Sequence, residues 1–203
     1  MQKKLTRKEQ AQITKRNLYD AAIALIERKG FENVSIEDIT TAANTAKGTF
    51  YLYFKSKQDL IYHTIALYDE IAERAYEGVK ELETFQEQLQ TYLMLLNQDV
   101  AKIGDNILNA LMVQNLLEEK KFITVETRAI YRALRKIIQR GFDTGELSQA
   151  HHMDEYLEMI IIFIQGLDYY WCNAAKEFDY VFATRREAEI FAKGLVAIYR
   201  KRD

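Results

Sequence analysis

Apolar side chains recur at helical spacing along almost the whole chain. Leu18, Ala22, Leu25 and Ile26 fall at i, i+4, i+7 and i+8, and Lys29-Gly30 closes that stripe with a basic last turn and a glycine stop. Ser35 opens a second helix, with Glu37 and Asp38 in its first turn and Ile36, Ile39 and Ala43 on its apolar face. Asn44 tolerates a left-handed backbone and predicts a tight turn before a short third helix over about 46–52. Ser56, with Asp59 three residues on, begins a fourth helix lined by Leu60, Thr64, Leu67 and Ile71.

Beyond that point the capping patterns repeat. Thr84-Phe85-Gln86-Glu87 starts a helix running to about Lys102, and another apolar segment spans Ile107 to Leu117. Thr124 is expected to start a helix carrying Ile130, Leu134, Ile137 and Ile138, which ends near Gly141 to Gly145. The segment 153–174 is apolar almost all round and must be covered on more than one side. Thr184-Arg185-Arg186-Glu187 has the form of a capping box before a stripe of Ala188, Phe191, Ala192, Leu195, Ile198 and Tyr199. The pattern predicts an all-α fold of about nine helices, with no strand pattern, repeat or low-complexity linker.

Composition agrees. The chain has 203 residues, 48% apolar and 29% charged, which is globular and not disordered composition. It contains eight glycines and no proline, and turn-rich β folds lean on both. The single cysteine, Cys172, excludes an intramolecular disulfide, suits a reducing cytosol and is expected to be an inert core thiol. The basic start, MQKKLTRKEQ, is followed by no apolar stretch of signal-peptide type, and the longest apolar run, Met159 to Ile164, is too short to span a membrane. A cytoplasmic protein is expected.

Charge is unevenly divided. Residues 1–57 hold 11 Lys/Arg against 6 Asp/Glu, or +5, while the remainder carries −7. That asymmetry fits a polyanion-facing N-terminal module on an acidic body; a solvated basic helix face would give the same count.

The segment 35–57, SIEDITTAANTAKGTFYLYFKSK, places two short helices around a tight turn, with small Ala42 and Ala43 where they approach. Phe50 would fill the space against Ile36 and Ile39. The other side of the third helix then carries Thr45, Ala46, Lys47, Thr49, Tyr51 and Tyr53. Such a short polar and aromatic surface suits a major groove, which admits one helix. A plain helical hairpin is the alternative from pattern alone.

The run Asp38-Ile39, Ala42-Ala43, Lys47-Gly48-Thr49-Phe50-Tyr51, Tyr53-Phe54-Lys55-Ser56-Lys57 and Leu60 resembles the DNA-binding signature of the TetR family of bacterial repressors, over roughly residues 7–65. Asn44 stands where that family usually has a turn glycine, and Thr45 where it usually has valine. The resemblance implies that Lys47 and Thr49 reach base edges, that Gly48 permits close backbone approach and that Ala46 touches a thymine methyl. It implies that Tyr51 and Tyr53 face the DNA backbone, that Ser35 caps the second helix and binds phosphate, and that Lys57 clamps a phosphate. Thr45 would place a hydroxyl near the phosphates. Lys3, Lys4, Arg7 and Lys8 would form an arm adding phosphate contacts, and Lys55 would be solvated.

One such helix covers too few base pairs for useful specificity. Two related by a two-fold axis, about 34–36 Å apart, would recognise a palindrome, so a homodimer is expected. The segment 156–167 and the last helix supply its surface, through Ile161, Ile164, Phe191, Leu195 and Ile198, unless both stripes are intrachain core. The resemblance divides the chain into a DNA-binding helix-turn-helix domain, 1–57, and a ligand-binding and dimerisation domain, 58–203. It also implies release from operator DNA by a small, largely apolar effector. Tyr92, Met112, Gln114, Tyr131, Met159, Phe163 and Trp171 are the candidate pocket residues. The alternative is a TetR-like DNA-binding protein controlled by a protein partner. No Ser/His/Asp set or phosphate loop is present, so no enzyme activity or cofactor is expected. His151-His152 with Asp154 and Glu155 lacks the i, i+4 histidine pair a zinc site wants and is expected to be a solvated helix start, not a metal site.

Overall fold

The computed structural model describes residues 6–174 and 177–199. Among these, nine α-helices and one short 3-10 turn account for the regular structure, and no strand forms. They are α1 (Arg7–Lys29), the 3-10 turn Phe31–Asn33, α2 (Ile36–Ala42), α3 (Lys47–Tyr53), α4 (Lys57–Glu77), α5 (Phe85–Ile103), α6 (Asp105–Leu117), α7 (Ala129–Thr144), α8 (Met153–Asn173) and α9 (Tyr180–Tyr199). No helix among the described residues is long and apolar enough to cross a membrane.

The helices form two compact units. Of the described residues, the first comprises those up to Ile65 together with Gly104–Glu119, and the second comprises Ala66–Ile103 with those from Lys120 onward. The sequence boundary at 57 falls inside the first unit, because α6 returns to pack on α1 and on the 3-10 turn. Leu18, Ala22 and Ile26 of α1 are fully buried there, with Ile39, Phe50 and Ile107. The α1–α6 joint has a polar pin. Glu27 accepts from the backbone N–H groups of Asn106 and Ile107 at the start of α6, and the Asn106 Nδ2 donates to the Glu27 carbonyl at 2.8 Å. Burial and the adjacent Asp105 carboxylate push the Glu27 carboxyl up to about 7. Gly104, at φ +106°, is required beside it: a Cβ there would lie 2.0 Å from the Glu27 carboxyl carbon.

In the second unit, α5 packs most extensively against α9 and also against α7. Thr184, Ala188 and Ala192 are small and buried at i, i+4 spacing, so the α9 backbone can approach α5 closely. Buried Asn97 donates to the Thr184 hydroxyl across that seam at 3.1 Å. The antiparallel α8 and α9 meet through rings: Tyr156 on Tyr199 at 5.4 Å, Phe163 stacked on Phe191 at 4.3 Å and Trp171 stacked on Tyr180 at 4.1 Å.

Two helix starts differ from the sequence expectation. Helix α7 begins at Ala129 and not at Thr124, because the Asp69 carboxylate accepts from the Ala129 N–H (3.2 Å) and from Arg128 Nε (3.0 Å). Helix α9 begins at Tyr180, where Asp179 Oδ1 accepts from the Phe182 N–H; Thr184 is a buried mid-helix residue donating to the Tyr180 carbonyl, not a cap. Elsewhere the local caps hold. Thr84 and Glu87 bond as expected before α5, which Glu146 also caps through the Phe85 N–H at 2.6 Å. The His151-His152 cluster is the start of α8: Glu155 accepts from the His152 N–H and lies 3.1 Å from His151 Nδ1. Cys172 is half-buried near the end of α8.

Candidate nucleic-acid interface

Each element of the helix-turn-helix is set by local chemistry. Ser35 Oγ accepts from the Asp38 N–H at 3.0 Å, and Asp38 Oδ2 accepts from the Ser35 N–H (2.8 Å) and hydroxyl (2.6 Å), a reciprocal capping box. Those bonds hold the Asp38 carboxyl below the usual aspartate range. At the other end of α2, Asn44 takes φ +50°, the one non-glycine positive φ among the described residues. The Thr45 N–H then bonds the Thr40 carbonyl at 2.8 Å and the Asn44 N–H bonds that of Thr41 at 3.1 Å, a Schellman closure that turns the chain into α3.

Phe50 anchors α3. It is fully buried, as is Ile39, and its ring packs on Phe54 at 5.4 Å and edge-on to Tyr51 at 5.6 Å. Since Phe50 points inward, the opposite side of this seven-residue helix points outward. Ala46, Lys47, Gly48, Tyr51 and Leu52 are exposed, and Thr49 and Tyr53 are half-buried. A Cβ placed on Gly48 would meet nothing within 4 Å. The helix is about 10 Å long, short enough for its outer face to lie in one major groove.

Several predicted residues have intrachain roles that the sequence does not reveal. Lys47 Nζ lies 2.5 Å from Glu37 Oε1, which lowers the Glu37 carboxyl and raises the Lys47 ammonium. Glu37 is not among the residues that sequence reasoning assigns to the site, and only the fold brings it across the turn. The Thr45 side chain is corrected: its Oγ1 is buried without a hydrogen-bond partner, so it occupies the packing position that valine fills in the family. Ser35 spends its hydroxyl on Asp38. Lys57 Nζ donates to the carbonyls of Phe31 (2.6 Å) and Val34 (2.8 Å) and lies 4.2 Å from the Phe31 ring centroid, tying α4 to the segment entering α2. Leu52, 78% exposed, also escapes the sequence reading; its position opposite Phe50 on the helix is the available signal. Of the basic arm, Arg7 and Lys8 lie in the first turn of α1, Lys3 and Lys4 lie outside the described residues, and Lys55 is exposed.

The effector candidates are divided between the two units. Met112 and Gln114 lie on α6 in the first unit, whereas Tyr92, Tyr131, Met159, Phe163 and Trp171 belong to the second. Tyr92 is fully enclosed, its hydroxyl lacks a hydrogen-bond partner, and burial pushes that hydroxyl well above its ordinary value. Phe163 and Trp171 already stack on α9 rings. The dimer candidates also need correction. Ile164 and Leu195 are each 5% exposed, so they are core of their own chain. Ile161 and Phe191 are half-buried, and Ile198 is 70% exposed. The large apolar residues standing outward on α8 and α9 are Ile162, Tyr169, Tyr170, Val181, Phe182, Ile190 and Ile198.

Comparison with known proteins places this architecture. Residues 11–63 match the family model for bacterial regulatory proteins, tetR family. A fatty acid metabolism regulator protein of Bacillus subtilis (strain 168) is 26% identical over 186 residues, covering 88% of this chain and 93% of that protein. The crystal structure of the transcriptional regulator FadR from Bacillus subtilis, in complex with stearoyl-CoA, matches at TM-score 0.66 and 25% identity, covering 88% of this chain and 98% of that one. The TetR family transcriptional regulator PfmR from Thermus thermophilus shares the fold at TM-score 0.64 and 20% identity, covering 89% and 98%. Residues 11–63 thus carry the helix-turn-helix of the tetR family of bacterial regulatory proteins, and the chain as a whole is similar to DNA-binding regulators of transcription.

Proposed function

We propose that this chain is a homodimeric repressor that holds a palindromic operator through two copies of α3 and lets go when a small, largely apolar effector occupies the second unit. The observation that carries this reading is the outward face of α3, from Ala46 to Leu52, which the chain's own core leaves uncovered. Lys47 exchanges Glu37 for a base edge in the complex, Thr49 and Ala46 contact neighbouring bases, and Gly48 lets the backbone approach. Tyr51 and Tyr53 lie along the sugar-phosphate backbone, and Ser35 and Lys57 sit where the duplex passes the ends of α2 and α4. Phosphate contacts give affinity and salt dependence, whereas base contacts give operator choice.

The similar structure that holds stearoyl-CoA supports an acyl effector. A long-chain acyl thioester offers the apolar body that the aromatic and thioether side chains of the second unit favour, with Tyr92, Tyr131 and Met159 as its first candidates. It acts only if it binds the released state more tightly than the operator-bound state.

The test is retention of genomic fragments on the purified protein, followed by titration with stearoyl-CoA. Lys47→Ala and Tyr51→Ala each weaken operator binding by about 1–3 kcal/mol, Lys47→Ala with relaxed choice at one base pair. Wild-type affinity in both variants overturns the recognition-helix assignment. Operator binding that is indifferent to stearoyl-CoA, with no thermal shift on adding it, removes the acyl effector and favours control by a protein partner.

A further inference from the structure

Glu37 belongs to α2, yet its carboxylate lies at the start of α3. The turn at Asn44 folds the two helices back, so that Glu37 Oε1 accepts from Lys47 Nζ at 2.5 Å, ten residues along the chain. Glu37 is 67% and Lys47 52% exposed, so the pair adds little to stability. An acid in the first turn of α2 suits the helix dipole, but Asp38 already supplies one and closes the Ser35 cap as well. The Lys47 contact holds the Glu37 carboxyl below the ordinary glutamate range, so at neutral pH the group is ionised and can only accept hydrogen bonds. Beside a duplex such a group is a liability, because the phosphates repel it. It is tolerable there only if the duplex offers it a donor.

We propose, on the reading that α3 lies in the major groove, that Glu37 is a specificity-determining residue which together with Lys47 selects one C·G base pair in each half-site. Lys47 donates to the guanine, and Glu37 accepts from the 4-amino group of the paired cytosine. The donors on major-groove base edges are cytosine N4 and adenine N6, while guanine O6 and N7 give an ammonium two acceptors. A C·G pair sets its amino donor beside its O6 acceptor, just as the protein sets a carboxylate beside an ammonium. When Lys47 leaves Glu37 for the guanine, the released carboxylate therefore finds a donor next door, and neither charge is left without a partner. Other pairs fit worse. A thymine in the cytosine's place turns its O4 acceptor toward the carboxylate, a G·C pair reverses donor and acceptor, and an A·T pair leaves Lys47 one acceptor in place of two.

Selection from a random-sequence duplex library by the full-length protein tests this. Wild type enriches half-sites with a fixed C·G pair, and Glu37→Ala, at an exposed position, accepts other bases in place of the cytosine. Exchanging that cytosine for 2-pyrimidinone, which lacks only the 4-amino group, weakens wild-type binding about 5- to 150-fold and leaves Glu37→Ala unaffected. Wild-type indifference to the missing amino group overturns the proposal, and that measurement decides the matter even if the variant fails to fold. Base choice unchanged in Glu37→Ala but lost in Lys47→Ala removes Glu37 while the α3 reading stands. Wild-type choice in Lys47→Ala as well, or no sequence enriched by the wild type, overturns both. Tighter binding of Glu37→Ala to every sequence with unaltered base choice makes Glu37 an electrostatic brake only, and overturns the proposal too.

Discussion

At the scale of single residues, what is legible in the sequence is what depends on near neighbours. Asn44 is recognisable as the left-handed turn residue and takes φ +50°, because its short side chain tolerates that conformation wherever the chain demands it. Glu27 is invisible: its character comes from Asp105 and the α6 amides, which only the tertiary fold delivers. Between the ordinary glutamate value of 4.5 and about 7, the folded protein holds a proton at Glu27 that the unfolded chain releases. Stability from this group is therefore full below pH 4.5 and declines as pH rises through 7. Melting temperatures measured from about pH 5 to 8 should fall less steeply for Glu27→Gln than for the wild type; superimposable profiles would show that Glu27 titrates normally.

At the scale of elements, the sequence places every helix but misplaces two beginnings. The starts of α2, α4 and α5 use a serine or threonine within three residues, so their caps are written locally. The start of α7 uses Asp69 on α4, and no window around Thr124 contains that information. The Thr184-Glu187 spacing imitates a capping box, yet Asn97 and the α5–α9 seam draw that threonine inside. Asp69→Ala removes the α7 cap and the 3.0 Å ion pair between Asp69 and Arg128, whose side chain is 11% exposed. A loss of about 1–3 kcal/mol in urea unfolding is expected, against almost none for Thr124→Ala. Equal losses for the two would return the helix start to Thr124.

At the scale of the whole molecule, burial separates residues that hold the body together from those free to meet another copy. Periodicity marks the stripes of α8 and α9 without revealing which edge each residue occupies, since both helices are apolar on more than one side. Ile164 and Leu195 face inward, and Ile162, Ile190 and Ile198 face outward. Ile162→Glu and Ile190→Glu should therefore sediment as folded monomers with native helical circular dichroism, whereas Leu195→Glu should lower the melting temperature sharply through a buried unpaired charge. Intact dimers from both outward variants would place the two-fold contact on another surface.

Gly48 gives these scales a common reference. Nothing among the described residues stands within 4 Å of the missing side chain, and a glycine inside a helix weakens it by about 1 kcal/mol relative to alanine. Folding alone would favour the larger residue at 48. Gly48→Ala is expected to melt higher yet retain DNA poorly, and a variant that gains on both counts would strip the position of its meaning. On the proposed reading, the bare backbone at 48 serves the bound duplex and not the folded chain.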